Sequence, residues 1–356
     1  MKFEVLSLLN KKEWGALFSK LPIEQQDIYF TPEYYELYEN NGDGKAQCFV
    51  FEENDEIALY PFLINSVNEL GYDLDNEYFD IQGAYGYNGA VSSSYDEDII
   101  KKFLFCFDKF CKEKNIIAEF IRYNPIIGNH KFYLENEPIY ILDNVLIDLT
   151  NSINDIWLKS FDNGVRKAVK KAIRNNLKFY SFLGSEISIE MLNEFINIYY
   201  NTMIRNHAER YYFFPKKFFT DIIQLLGENS LFSFIFYNDK IISVELNFFF
   251  KNYAYGFIGG TLSEYYYLSP NSLLRFELIK KLKDLNVKYY SIGGGKQKND
   301  SIYKFKKSFS KYIENKFYIG KKIHNQKIYD EVVKQWETKF PEKKEKYNNL
   351  LLKYRY

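Results

Sequence analysis

Residues 232–250 read FSFIFYNDKIISVELNFFF. Two apolar runs flank the turn-forming pair Asn238-Asp239, so the stretch reads as a β-hairpin. Residues 48–65, CFVFEENDEIALYPFLIN, repeat the design around Asn54-Asp55, and the two turns lie 184 residues apart. Each hairpin is followed by a Tyr/Gly-rich segment that reads as a further strand, YGYNGAV at 85–91 and YAYGFIGG at 253–260. A helix and a strand then follow in both halves: DIIKKFLFCFDKFCKEKN into IIAEFIRY, and SLLRFELIKKLKDLN into VKYYSIGGG, with Asn115 and Asn286 now 171 residues apart. Offsets that differ by a modest insertion fit two copies of one unit. The order hairpin, strand, helix, strand departs from the alternation of a doubly wound fold and predicts an α+β protein, a mostly antiparallel sheet flanked by helices in each half.

Between the halves, VLIDLT (145–150) reads as a strand and 152–175 as helical. The expected domains are therefore 1–144 and 145–320, with an amphipathic helical tail at 321–356 that folds back on the first. The length and a hydrophobic content of 46% are ample for two real cores. Charge balances at 47 basic against 47 acidic residues, which leaves no overall electrostatic reason to coat DNA, other nucleic acid or an anionic membrane. Cys48, Cys106 and Cys111 have no CxxC spacing and histidines number three, so neither a disulfide framework nor a metal site is expected. No apolar run approaches the length of a membrane span, and the reading is a reducing, cytoplasmic protein.

Four segments could carry chemistry. NGVRKAVKKAIRNN (163–176) puts its apolar residues on one helical face and Arg166, Lys167, Lys170, Lys171 and Arg174 on the other, a site for an anion or a solvated face. YYNTMIRNHAERYYFF (199–214) carries Arg205, Arg210, Tyr211 and Tyr212, and guanidinium groups suit phosphate or carboxylate. His207 in the same loop is more simply a surface residue than a general base. Glu245, inside the apolar strand SVELNFFF, needs a partner or a raised pKa; it reads as a structural ion pair or as a base facing a cleft. YYSIGGGKQKNDSIYKFKKSF (289–309) ends a strand in Gly293, Gly294 and Gly295 and continues into what reads as an amphipathic strand bearing Phe305 and Lys306. It matches neither a P-loop nor a dinucleotide fingerprint.

Taken in order, GAYGYNGAV (83–91), IRYNPIIGN (121–129), DNGVRKAVKKAIR (162–174) and the 289–309 segment resemble the motifs of the Fem-type peptidoglycan-bridge aminoacyltransferases and their acetyltransferase-like relatives. The resemblance implies two tandem GNAT-like (N-acetyltransferase-type) domains. It implies transfer of an aminoacyl or acyl group to an amine of a cell-envelope precursor, nucleotide- or lipid-linked, from aminoacyl-tRNA or acyl-CoA, with no permanently bound cofactor. Peripheral membrane contact is compatible with such an acceptor. Lys306, after Phe305, matches the family's closing lysine, which stabilises the developing oxyanion or the precursor phosphates. Arg205 and Tyr212 resemble its substrate-binding arginine and tyrosine, and Arg210, Gly293, Gly294, Tyr87 and Arg122 fall in the matching segments. Arg166, Lys170 and Arg174 would meet RNA or phosphate. Asn124, Ser291 and Ala84 stand where the family carries histidine, aspartate and proline. YLSPNSLLRFE (267–277) lacks the glycine-rich signature that binds coenzyme A pyrophosphate on helix amides. The alternative is an idle GNAT-like scaffold that binds a nucleotide-linked glycan or a protein.

Overall fold

The computed structural model describes residues 2–133, 137–311 and 315–356. Its strands, in chain order, are β1 (Lys2–Ser7), β2 (Lys45–Glu53), β3 (Glu56–Ser66), β4 (Phe79–Gln82), β5 (Val91–Ser92), β6 (Ile116–Arg122), β7 (Ile139–Asp148), β8 (Lys178–Leu183), β9 (Ser230–Tyr237), β10 (Lys240–Phe250), β11 (Tyr253–Thr261), β12 (Tyr289–Gly293) and β13 (Asn315–Ile323). The chain divides into two units, Met1–Ile141 with Phe317–Tyr356, and Leu142–Lys316.

The first unit pairs its strands β1-β2-β3-β4-β6-β13, with β5 beside β3. Only β4–β6 is parallel. The second pairs β7-β12-β11-β10-β9-β8, and only β11–β12 is parallel. Both follow one plan, because both hairpins turn on Asn-Asp pairs whose two residues have positive φ (50° and 66° at Asn54-Asp55, 47° and 60° at Asn238-Asp239). Such turns match the right-handed twist of the strands they join. Asn115 (φ 52°) and Asn286 (φ 62°) likewise end the Glu97–Glu113 and Pro270–Asp284 helices in the left-handed region. The last position of each sheet is exchanged along the chain. The mid-chain strand β7 completes the second unit beside β12, and the late strand β13 completes the first beside β6.

In the first unit the 97–113 helix lays Phe103, Phe107 and Phe110 on Phe49, Phe51, Tyr60 and Phe62 of the hairpin. On a separate core, Ile328, Val332 and Trp336 of the Gln326–Lys339 helix pack with Val67, Tyr72, Ile117 and Leu352. In the second unit Leu274, Leu278 and Leu282 meet Val165, Val169 and Ala172 of the Asn163–Arg174 helix over Ile147, Ile235 and Tyr290. Among the described residues no helix is long and apolar enough to cross a membrane.

Two expectations are corrected. Residues 85–90 do not form a strand, and only Val91 of the expected segment enters one, β5: Gly86 (φ 116°) and Gly89 (φ 97°) break the extended backbone, and β4 takes that place in the sheet. Ser301–Lys307 is a helix rather than an amphipathic strand. The Asp300 side chain caps it by accepting from the Tyr303 amide at 2.7 Å, and Ile302, Phe305 and Phe309 recur at helical spacing.

Candidate functional site

The parallel pair β11–β12 is in register only over Tyr253–Tyr255 and Tyr289–Ser291. Beyond it β11 runs on to Thr261 and β12 ends at Gly293, so the two strands part and leave backbone unpaired on both sides. A register break at Leu246/Asn247 between β10 and β11 bends the sheet at the same level. A cleft of about 310 Å³ lies there, wholly within the second unit. Its floor is residues 256–261 of β11 with Glu245 of β10 and Ile292. Thr202 and Arg205 reach it from the Ile189–Arg205 helix, Tyr266 from the short Ser263–Leu268 turn, Asn271 and Arg275 from the start of the 270–284 helix, and Phe305 and Lys306 from the 301–307 helix.

Glu245 has an arginine partner. Its Oε1 accepts from Arg275 Nη1 at 2.7 Å, with both side chains about nine-tenths buried. The Tyr290 hydroxyl accepts from the same guanidinium and can donate either to Glu245 Oε1 at 3.0 Å or to Asn247 Oδ1 at 2.7 Å. Burial pushes that phenol well above its usual range. Burial opposes the Arg275 charge, but Glu245 and Tyr290 together outweigh it and the guanidinium is held more firmly protonated. Arg275 Nε is buried with no partner. A Cβ on Gly256 would lie 3.2 Å from Glu245 Oε1 and 3.4 Å from Arg275 Nη1, so only glycine leaves this pair undisturbed.

Lys306 Nζ donates to the Gly294 carbonyl at 2.8 Å, and a Cβ on Gly293 would lie 3.3 Å from it. The glycines thus form the seat of the lysine. Burial, then the positive charge of Arg275, push the Lys306 ammonium down to about 8, against the opposing pull of Glu245 and Asp300. Across the cleft Arg205 Nη1 donates to Thr261 O at 3.0 Å, and its guanidinium stands 5.3 Å from the Tyr266 ring centroid. Thr261 Oγ1 and Ser243 Oγ share the Asn271 side-chain oxygen. The lining carries three cations, Arg205, Arg275 and Lys306, against one carboxylate, and that balance favours a ligand with negative or developing negative charge.

The structure brings Lys306, Glu245, Arg205 and Phe305 to this cleft and puts Gly293 and Gly294 directly beneath Lys306. Arg210 and Tyr212 form a short turn that does not line it. Tyr87 and Arg122 belong to the first unit. There Arg122 Nε donates to Gly86 O at 2.8 Å and stands over Phe317, and Tyr87 meets Tyr29 and Phe317 edge-on. Arg166 donates to the Trp157, Leu158 and Phe161 carbonyls, closing the turn before its helix, whereas Lys170 and Arg174 are exposed. His207 is exposed at the end of the 189–205 helix. The residue that sequence reasoning missed is Arg275. Its signal was an arginine on the same stripe as Leu278, Ile279 and Leu282, where a charge must find a partner.

Residues 160–307, which hold the whole cleft, match the acetyltransferase (GNAT) domain family. Among solved structures the chain is similar to FemX, at 14% identity and a TM-score of 0.66 over 93% of this chain and 99% of that one. It is also similar to the C-terminal domain of an Agrobacterium fabrum protein assigned as a lysylphosphatidylglycerol synthetase (11% identity, TM-score 0.55, 94% and 97% covered). A third is a tandem GNAT protein of the clavulanic acid biosynthesis pathway (6% identity, TM-score 0.50, 91% and 98% covered). At these identities the likeness is one of fold. No curated protein is significantly similar in sequence.

Proposed function

We propose that this Fem-like tandem GNAT chain is an acyltransferase that moves an aminoacyl group from an activated ester to an amine of a cell-envelope precursor in the cytoplasm. The observation that carries the reading is Lys306, seated on Gly294 O in a cleft whose other charges are Arg205, Arg275 and the ion-paired Glu245. An acceptor amine attacks the donor carbonyl, a C–N bond forms and the C–O bond to the carrier breaks. The amine proton leaves with the released hydroxyl, and no covalent enzyme intermediate is needed. Charge develops on the carbonyl oxygen, and a cation fixed beforehand in a partly dehydrated cleft stabilises it without reorganising. Lys306, charged below about pH 8, fills that role. Glu245, bonded to Arg275 and Tyr290, anchors Arg275.

Two observations support aminoacyl-tRNA over acyl-CoA as donor. The 270–284 helix opens on Ser269-Pro270-Asn271 without the glycine-rich amides that hold a coenzyme A pyrophosphate. One structural neighbour is named for a product that is itself an aminoacylated lipid. The test is amide formation with aminoacyl-tRNA and with acetyl-CoA, each offered with an amine-bearing envelope precursor, for wild type and Lys306→Ala. Loss of one oxyanion donor costs about 10²–10³ in turnover; a fold that melts as wild type with that loss supports the role. Turnover unchanged by the substitution removes Lys306 from the mechanism, and no transfer from any donor favours the idle scaffold.

A further inference from the structure

Exposed apolar side chains adjoin residues that line the cleft on both of its walls. Ile204 is 62% exposed and adjoins Arg205, and Tyr267 is 60% exposed beside Tyr266, itself 48% exposed. On the other wall Ile302 (41%) and Phe305 (39%) stand one helical turn apart on the 301–307 helix. Arg205 and Tyr266 are in cation–π contact, and Tyr266 and Phe305 both line the cleft, so the two groups border one opening. Lysines accompany them. Lys296, Lys298 and Lys304 are exposed, and the only acid in 296–307, Asp300, spends its carboxylate on the amides of Lys296, Gln297 and Tyr303.

We propose that this rim docks on an anionic lipid bilayer and presents the cleft to an acceptor carried in that bilayer, an inference that rests on the transfer reading above. Tyrosines and lysines with apolar stems suit the headgroup level of a membrane, where ring and stem are buried and the polar end stays wet. Exposed lysines are each worth about 1 kcal/mol at an anionic surface, or about fivefold in partitioning. A nucleic acid would use the lysines and rings but gain nothing from Ile204 and Ile302. A bilayer uses all of them.

The experiment is sedimentation of the full chain with vesicles of phosphatidylcholine alone and of phosphatidylcholine with phosphatidylglycerol, for wild type and the combined variant Ile204→Ser, Tyr267→Ser, Ile302→Ser. These three residues do not line the cleft. The expected result is binding to the anionic vesicles that weakens with salt and falls at least about tenfold in the variant. The variant should melt as wild type and transfer to a soluble amine at an unchanged rate. Binding to neither vesicle overturns the proposal, and so does vesicle binding that the variant retains. Vesicle binding is read without turnover, so a membrane-docking chain that transfers nothing would count against the transfer reading alone.

Discussion

Replacing Arg355, the penultimate residue, by methionine should destabilise the first unit far more than its place near the chain end suggests. Its guanidinium reaches the fully buried Asp80 of β4, with Nε 2.9 Å from Oδ1 and 2.7 Å from Oδ2, and Nη2 donates to the Asn65 and Ser66 carbonyls. Burial raises the Asp80 carboxyl pKa even with Arg355 in place, since desolvation outweighs the attraction. Without the arginine, an ionised carboxylate is left among Tyr354 and the strands with no countercharge. Breaking a buried pair in this way costs about 3–5 kcal/mol. At roughly 2–4 °C per kcal/mol for a unit of this size, the melting temperature should fall by about 6–20 °C. The sign with pH follows from the raised carboxyl. Protonation of Asp80 removes the uncompensated charge, so the deficit of Arg355→Met is greatest at neutral pH and narrows as pH falls through the raised Asp80 value. Asp80→Asn combined with Arg355→Met should recover much of the loss, because the charge and its partner leave together. Thermal melts of the two single variants and the double variant, at neutral and acidic pH, provide the assay. Equal losses in Arg355→Met and in the double variant, or a deficit that does not change with pH, would refute the electrostatic account.

Three further outcomes are expected in the cleft. Turnover should fall about tenfold between pH 7 and pH 9 as the Lys306 ammonium, held at about 8, loses its proton. Arg275→Met removes a neighbouring positive charge and should move that fall to higher pH, whereas Glu245→Gln should move it lower; pH–rate profiles that superimpose for all three proteins would disprove the coupling. Gly260→Ala should lower stability by about 1–3 kcal/mol and weaken substrate binding, measured by melting and KM. Its Cβ would lie 2.7 Å from the Ile198 carbonyl, forcing the helix that carries Arg205 off β11.

How much of this was legible in the sequence depends on whether the deciding information is local. The Asn-Asp turns and the helix-ending asparagines fix their own backbone, so the duplicated hairpin, helix and strand could be read directly and their spacing compared. The 301–307 helix was misread because its alternating lysines and aromatics satisfy a period of two as well as one of 3.6. The deciding residue was Asp300, a cap placed before the pattern begins. The 85–91 segment was misread for the opposite reason, since its tyrosines favour a strand while Gly86 and Gly89 adopt conformations a strand forbids. The pairing of β13 with β6 was out of reach, because a sheet edge offers the same unpaired amides and carbonyls to any strand and the choice is made by pairing, not by composition.

The candidate site shows the same division. Lys306 and the glycines beneath it are neighbours in sequence, so their association was visible, as was the demand of Glu245 for a partner. Which partner answers it was not. Arg275 lies 30 residues further on, on a helix whose register against the sheet is set by Leu274, Leu278 and Leu282. Once those leucines are packed, the arginine has no other direction than the gap where β11 and β12 part. Glu245, buried on the neighbouring strand, then holds it there, and the charge that results helps to set the ionisation of Lys306. The chemistry of the cleft is therefore a consequence of core packing as much as of the residues that line it. A Leu278→Ala variant, which loosens that packing one helical turn from Arg275 without removing any group that lines the cleft, should shift the pH profile of turnover as well as the melting temperature. A change in melting alone would show that the cleft holds its geometry independently of the core beneath it.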